Sequence, residues 1–301
     1  MDEQSYEPNS TREGRPDIKR TSPEEREATH SNYYAEILER INAALEACRP
    51  VFACFTLGAI EAEYKAGDDP VTEADRAIDL VLRQELLREG EGWLSEESVD
   101  DPIRLQRSRV WVVDPLDGTR EFVQGIPEFC VSIGFIENGR PVAGGIYNPA
   151  TNEVFLGSVE SGVTCNGKAA QASRRPRLEG ALVLASRSEV KRGEWKAFEN
   201  CSFRIRPTGS VAYKLALVSA GLADITFTLT PKHEWDVAAG AALVASAGGF
   251  ISTLENKSLV CNNKNPVLSG LLASGPYLRQ ELLAAIAQRV EPAILKASQR
   301  E

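Results

Sequence analysis

The 301-residue chain is short of the groups that several common chemistries require. Its only two histidines are His30 and His233, so neither a Ser-His-Asp triad nor a multi-histidine zinc site has material to build from. Its six cysteines (Cys48, Cys54, Cys130, Cys165, Cys201, Cys261) include no Cys-x-x-Cys pair and sit mostly among small or apolar neighbours. That fits reduced, buried thiols rather than a disulfide framework. No run approaches the roughly 18 apolar residues of a membrane span, and the first 20 residues are too polar for the apolar core of a signal peptide. The expected compartment is the cytoplasm, with no membrane partner. Positive charge is scarce too: 34 Lys and Arg against 43 Asp and Glu give a net charge of −9. Such a balance disfavours extended binding to nucleic acid polymers, yet leaves small anions open wherever a local cation or metal inverts the sign.

What remains is the composition of a globular protein, 43% hydrophobic and 26% charged, long enough for one large or two apposed domains. Residues 1–30 are polar with almost nothing to bury and read as a disordered leader. Apolar positions Ile37, Ile41, Leu45 and Cys48 predict a helix over Asn32–Arg49 that Pro50 interrupts, followed by a second helix over Val51–Glu63. A loop leads to a long helix from near Thr72, where Thr72 and Asp75 form a capping-box pattern. Short β-branched runs then predict strands at Trp93–Leu94, Val110–Val113, Val131–Ile136, Val142–Tyr147 and Val154–Leu156, with Asn138-Gly139 as a tight hairpin. From about Leu178 strands and helices alternate, with helices at Glu189–Glu199, Ser210–Ala220 and Asp236–Ala247. Residues 31–177 thus read as an α+β part and 178–301 as an α/β part.

Chemistry must lean on carboxylates. Asp75 opens a helix, where it could serve only the helix dipole. Glu96 and Glu97 follow the apolar pair Trp93-Leu94, where a solvated loop explains them equally well. In Val113-Asp114-Pro115-Leu116-Asp117-Gly118-Thr119 an apolar strand runs straight into two aspartates, and the bland reading weakens. Carboxylates at the end of a buried strand are costly unless paired or bound to a cation, and hard oxygen donors on a tight loop suit Mg²⁺. The Leu116 carbonyl can face the same way, Gly118 lets an anion approach closely, and Thr119 opens a short helix. Asp236, behind Trp235, is either an N-cap or a further ligand.

These motifs, in order Asp68-Asp69-Pro70-Val71-Thr72-Glu73-Ala74-Asp75, Leu94-Ser95-Glu96-Glu97-Ser98, Asp114-Pro115-Leu116-Asp117-Gly118-Thr119 and Trp235-Asp236-Val237-Ala238-Ala239-Gly240, resemble the lithium-sensitive, magnesium-dependent phosphatases: the inositol monophosphatases and the 3'(2'),5'-bisphosphate nucleotidases. The resemblance covers residues 32–275. It implies a layered αβαβα sandwich and two or three Mg²⁺ held by Glu96, Asp114, the Leu116 carbonyl, Asp117 and Asp236. It also implies that Thr119 and Asp75, with Glu96 and a metal, orient and deprotonate the attacking water, while the N–H groups of Gly118 and Thr119 cradle the phosphate. A homodimer is common in the family.

Within it, Leu94-Ser95-Glu96-Glu97 and Thr119-Arg120-Glu121-Phe122 lie nearer the nucleotidases. So does Gly209-Ser210-Val211-Ala212-Tyr213-Lys214, where a similar loop contacts the nucleotide; a capped helix with an exposed lysine is the alternative. The carboxylate that inositol phosphatases place before Trp-Asp is missing from Thr226–Lys232. Arg187 and Lys232 instead offer charge for a second phosphate, or are surface cations. His233 reads as structural. The expected substrate is therefore a small phosphorylated molecule, 3'-phosphoadenosine 5'-phosphate first, with an inositol or sugar monophosphate as the alternative. A non-catalytic binding protein of the same fold comes last, because every metal ligand is present.

Overall fold

The computed structural model describes residues 23–64 and 70–297. The loop residues Lys65–Asp69, with Asp68 and Asp69 of the first motif, and most of the polar leader lie outside the described residues. Helix α1 spans Pro23–Phe52, starting nine residues before the predicted Asn32. The apolar spacing that marks the helix begins at Ile37, and Ile37, Ile41, Leu45 and Cys48 are all essentially buried. Pro50 sits in the last turn, where it can donate no N–H back to residue 46, and the helix ends two residues past it. The predicted second helix over Val51–Glu63 does not form. Ala53, Cys54 and Phe55 bond back to Arg49, Val51 and Phe52 in tightening turns, and Phe52, Phe55 and Ile60 pack into the first core. A two-residue ladder, β1 (Glu63–Tyr64) against β2 (Pro70–Val71), then leads into α2 (Glu73–Leu86).

A seven-stranded sheet follows in spatial order β3 (Gly92–Ser95), β4 (Arg109–Asp117), β5 (Cys130–Glu137), β6 (Arg140–Asn148), β7 (Glu153–Ser158), β8 (Gly162–Cys165) and β9 (Lys168–Ala170). The β3/β4 pair is parallel and the rest antiparallel. The short helix α3 (Thr119–Gln124) links β4 to β5. Asn138 (φ 50°) and Gly139 (φ 77°) make the predicted hairpin turn. A second Asn-Gly, at 166–167, turns β8 into β9 by the same device.

The second sheet is built from β10 (Leu182–Ser186), β11 (Arg204–Thr208) and β12 (Ile225–Thr228), joined by α4 (Arg187–Lys191) and α5 (Val211–Ser219). The predicted Glu189–Glu199 helix stops at Lys191 because Gly193 turns left-handed (φ 80°); only a 3₁₀ turn at Lys196–Phe198 resumes. Strand β13 (Lys232–His233) leads directly into α6 (Glu234–Ser246). The chain closes with β14 (Phe250–Ser252), β15 (Val267–Leu268), β16 (Leu271–Ser274) and α7 (Arg279–Ala297). The order β11-β10-β12-β16-β14 defines the sheet, and β15 pairs with β13.

Three large cores join five layers, and a fourth, smaller cluster gathers Leu94, Val112 and Ala238. The first packs α1 and α2 on the large sheet through Ile37, Ile78, Trp111 and Phe135; the second packs α5 and α6 between the sheets through Ile146, Leu215, Leu243 and Ala273. The third packs Trp195, Phe198 and Leu282 of α7 on the outer face of the small sheet. This is the expected αβαβα sandwich. Among the described residues no helix is long and apolar enough to cross a membrane.

Candidate active site

Strands β3 and β4 run parallel with Ser95 opposite Val113, so the next residues, Glu96 and Asp114, leave adjacent strand ends together. Beyond Asp114 the pairing of β4 with β5 shifts register, a bulge that re-aims the Asp114–Asp117 segment. The Leu116 N–H donates to Asp114 Oδ1 at 2.9 Å. Gly118 then turns left-handed (φ 96°) to start α3, and a Cβ there would sit 2.9 Å from the Glu128 carbonyl oxygen. Only glycine fits. Asp236 comes from the first turn of α6, where it accepts from the His233 N–H at 3.0 Å. His233 itself stacks on Trp235 with ring centroids 4.4 Å apart.

Ligand oxygens of Glu96, Asp114 and Asp236 all lie within 4.8 Å of one another. Asp114 is 1% exposed. Its carboxyl is pushed well above the carboxylate range by burial first, then by Glu96, Asp117 and Asp236; burial, Asp117 and Glu96 do the same to Asp236, against the pull of Lys232. At an effective dielectric near 20, each like-charge pair at that separation costs about 3.5 kcal/mol. One hydrogen bond to a charged acceptor returns only about 1.5–3 kcal/mol. Repulsion wins unless the trio protonates or holds a cation. An all-oxygen, carboxylate-rich donor set selects a hard divalent ion, so these residues fit Mg²⁺.

Asp117 lies beside the trio but is already hydrogen-bonded. Its Oδ2 accepts from the Ser210 hydroxyl at 2.7 Å and the Ala212 N–H at 2.6 Å, at the start of α5. The Leu116 carbonyl accepts from, or lies beside, the Thr119 hydroxyl at 2.9 Å, and that hydroxyl is also 3.1 Å from Asp75 Oδ1. With one proton it donates to one partner at a time. Asp75 is 2% exposed, and its Oδ2 takes both the Thr72 N–H (2.8 Å) and hydroxyl (2.6 Å) in the predicted capping box. Burial raises its pKa, opposed by the Thr72 hydrogen bonds.

Glu96, Asp114, Leu116, Asp117, Gly118, Thr119 and Asp236 line one cavity of about 390 Å³, which Arg187, Gly209, Ser210, Lys214 and Lys232 line as well. The substrate-facing residues expected from the sequence are therefore gathered there, but several are engaged. Ser210, in a strained φ of 53°, caps α5 at the Tyr213 N–H while bonding Asp117. Lys214, buried rather than exposed, gives its ammonium to the Ser210 carbonyl at 2.8 Å; burial lowers its pKa while Asp117 pulls the other way. Arg187 pairs with Glu128, which also accepts from the Gly209 N–H at 2.7 Å. Lys232 lies 3.7 Å from Glu189, a fully buried carboxylate that also accepts from Trp195, Thr228 and Thr230.

Glu128 and Glu189 were not singled out by the sequence reading. The partners of Glu128 lie 59 and 81 residues away, and those of Glu189 lie 39 to 43 residues away except Trp195, six residues on. The short Ser-Arg-Ser-Glu run beside Arg187 was the one available signal.

The inositol monophosphatase family matches residues 33–292. An inositol-1-monophosphatase of Mesorhizobium japonicum is 32% identical over 82% of this chain and 94% of its own length. A fructose-1,6-bisphosphatase/inositol-1-monophosphatase of Thermotoga maritima is 32% identical over 69% of this chain and 80% of its own. The crystal structure of the extragenic suppressor protein SuhB from Bartonella henselae superposes with a TM-score of 0.71 at 30% identity, covering 83% of this chain and 98% of that one. The chain belongs to the inositol monophosphatase family of phosphatases.

Proposed function

We propose that the chain hydrolyses a phosphate monoester of a small cytoplasmic substrate with water, using Mg²⁺ at the acidic cluster, and that this substrate carries a second phosphate, with 3'-phosphoadenosine 5'-phosphate, and then its 3'-phosphosulfate analogue, as the leading candidates. One observation carries the reading: the carboxylate trio opens onto the same cavity as Arg187, Lys214 and Lys232. Glu96, Asp114 and Asp236, with Asp117 and the Leu116 carbonyl beside them, would hold the two or three ions. Bound there, Mg²⁺ supplies Lewis acidity toward the phosphoryl oxygens and lowers the pKa of water.

The chain's own residues do the rest. Thr119 Oγ, fixed between Asp75 and the Leu116 carbonyl, orients the attacking water and takes its proton as it passes its own to Asp75. Burial suits Asp75 to that task, because a raised pKa brings a carboxylate nearer the operating pH. The backbone N–H groups of Gly118 and Thr119, at the start of α3, receive the phosphoryl oxygens. Lys232, steadied by Glu189, and Arg187, steadied by Glu128, face the second anion.

A second reading, a polyol or sugar monophosphate, draws on the engagement of Ser210 and Lys214 with internal partners and on the names of the relatives. The test is phosphate release from 3'-phosphoadenosine 5'-phosphate, its phosphosulfate analogue, inositol 1-phosphate and fructose 1,6-bisphosphate, each with Mg²⁺. Highest kcat/KM on a nucleoside bisphosphate is expected. Highest kcat/KM on inositol 1-phosphate establishes the second reading instead, and no release from any points to a binding protein.

A further inference from the structure

Outside the cavity lining, a polar network built around buried Arg104 and Glu234 ties together two of the segments that carry the acidic trio. Arg104 (1% exposed) grips both oxygens of Asp100 through Nε at 2.6 Å and Nη2 at 2.9 Å. Its Nη1 reaches Asn262 Oδ1 at 2.7 Å, and Nη2 also reaches the Asn263 carbonyl at 3.0 Å. Asn262 returns a bond from Nδ2 to the Arg104 carbonyl at 3.0 Å. On the far side of the same pair, Glu234 (0% exposed) accepts from the Asn262 N–H at 2.6 Å and from the Asn263 N–H and Nδ2 at 3.0 and 2.7 Å.

Asp100 stands four residues after Glu96, and Glu234 two before Asp236. The Glu96 loop is held at its other end as well: the Ser95 and Ser98 hydroxyls both donate to Asp79 of α2 at 2.5 Å. Every donor of the Arg104 fork except one faces an acceptor, and lysine could not span Asp100, Asn262 and Asn263 at once. Both Glu234 oxygens accept N–H groups, so glutamine would turn an NH₂ onto one of them. The residue types are fitted to the link.

We infer that Glu234 and Arg104 are positioning residues which, joined through Asn262 and Asn263, set the separation of the Glu96 and Asp236 carboxylates and thereby the affinity of the site for a divalent cation. The inference rests on the cation reading of the acidic trio. Partners that orient metal ligands are typically worth 10- to 100-fold in metal affinity.

The test is calorimetric titration of the full chain with Mn²⁺ alone, alongside thermal melts, for the wild type, Glu234→Gln, the milder Asn263→Ala at an exposed residue, and the remote control Glu91→Gln. Glu234→Gln should weaken Mn²⁺ binding about 10- to 100-fold. Asn263→Ala, which removes one of three donors to Glu234, should weaken it by a smaller factor. Glu91→Gln should lower the melting temperature and leave Mn²⁺ affinity unchanged, which separates positioning from general loss of stability. A folded Glu234→Gln that binds Mn²⁺ like the wild type overturns the inference; should that variant not fold, wild-type affinity in Asn263→Ala overturns it. Equal weakening by Glu91→Gln overturns it too. A wild type that binds no Mn²⁺ removes the cation reading itself, and the link's function with it.

Discussion

Replacing Asp75 by Asn separates the two jobs that this one carboxylate holds. Its Oδ2 serves the fold by accepting the Thr72 N–H and hydroxyl, while Oδ1 faces Thr119. An asparagine can keep its carbonyl oxygen on Thr72 and so preserve the capping box, leaving its NH₂ toward Thr119 Oγ. The structural loss is then at most that of a weakened cap, about 1 kcal/mol, which in a chain of this size lowers Tm by about 2–4 °C. The chemical loss is much larger. An amide accepts no proton from Thr119, and loss of a general base costs about 10²- to 10⁴-fold, equivalent to about 2.7–5.4 kcal/mol of barrier. Phosphate release at saturating Mg²⁺, measured on whichever substrate the wild type turns over best, should show kcat down by that factor with KM little changed, beside a nearly unaltered melt. Thr72→Ala should do the reverse, losing about 0.5–2 kcal/mol of stability with activity largely kept. If Asp75→Asn keeps kcat within about threefold, proton transfer through Thr119 is wrong and Asp75 is only a cap.

Three further expectations follow from the same geometry. Lys214→Ala should cost a nucleoside bisphosphate about 10- to 150-fold in kcat/KM, the range for one hydrogen bond to a charged group, and barely affect inositol 1-phosphate; equal losses on both substrates would point to damage at the acidic trio or the fold. Gly118→Ala should cost about 1–3 kcal/mol and most activity, because the φ of 96° and the Glu128 carbonyl both reject a Cβ; a Tm and rate like the wild type would contradict that. The Glu91 carboxyl is raised by burial but lowered further by hydrogen bonds from Arg40 and Trp111, leaving its folded pKa below the unfolded value. It therefore adds stability above about pH 4.5 that drains away as pH falls through the folded pKa, and Glu91→Gln should flatten the decline of Tm below about pH 5; an unchanged slope would assign acid sensitivity elsewhere.

Local signals in the chain were readable where a single turn or motif carries its own reason. Thr72 and Asp75 cap a helix three residues apart, and Asn138-Gly139 fits a tight hairpin whatever surrounds it. Asp114 and Asp117 are legible from the sequence because a strand end makes two carboxylates expensive, whereas Glu96 and Asp236 join them only through the ordered motifs of the family resemblance. What stayed hidden depended on partners far along the chain. The parallel pairing of β3 with β4, which brings Glu96 beside Asp114, appears only when Ser95 is seen opposite Val113. The burial of Lys214 depends on the middle helix layer, and the Glu189 clamp on Lys232 is formed by β12 and its exit. The start of α1 lies in a stretch whose sequence carries no apolar periodicity, and the helix predicted after Val51 is overridden by aromatic side chains drawn into the core.

On the reading proposed above, Glu96, Asp114 and Asp236 hold the divalent cation on which hydrolysis depends. Phosphate release measured for the wild type in EDTA, after restoring excess Mg²⁺, and for Asp114→Asn in the same two conditions tests it most directly. Expected are background rates in EDTA, full recovery with Mg²⁺, and an Asp114→Asn protein that folds, melts no lower than the wild type because one buried like charge is gone, and releases no phosphate above background in either condition. Undiminished release in EDTA, or near wild-type turnover by Asp114→Asn, would contradict it.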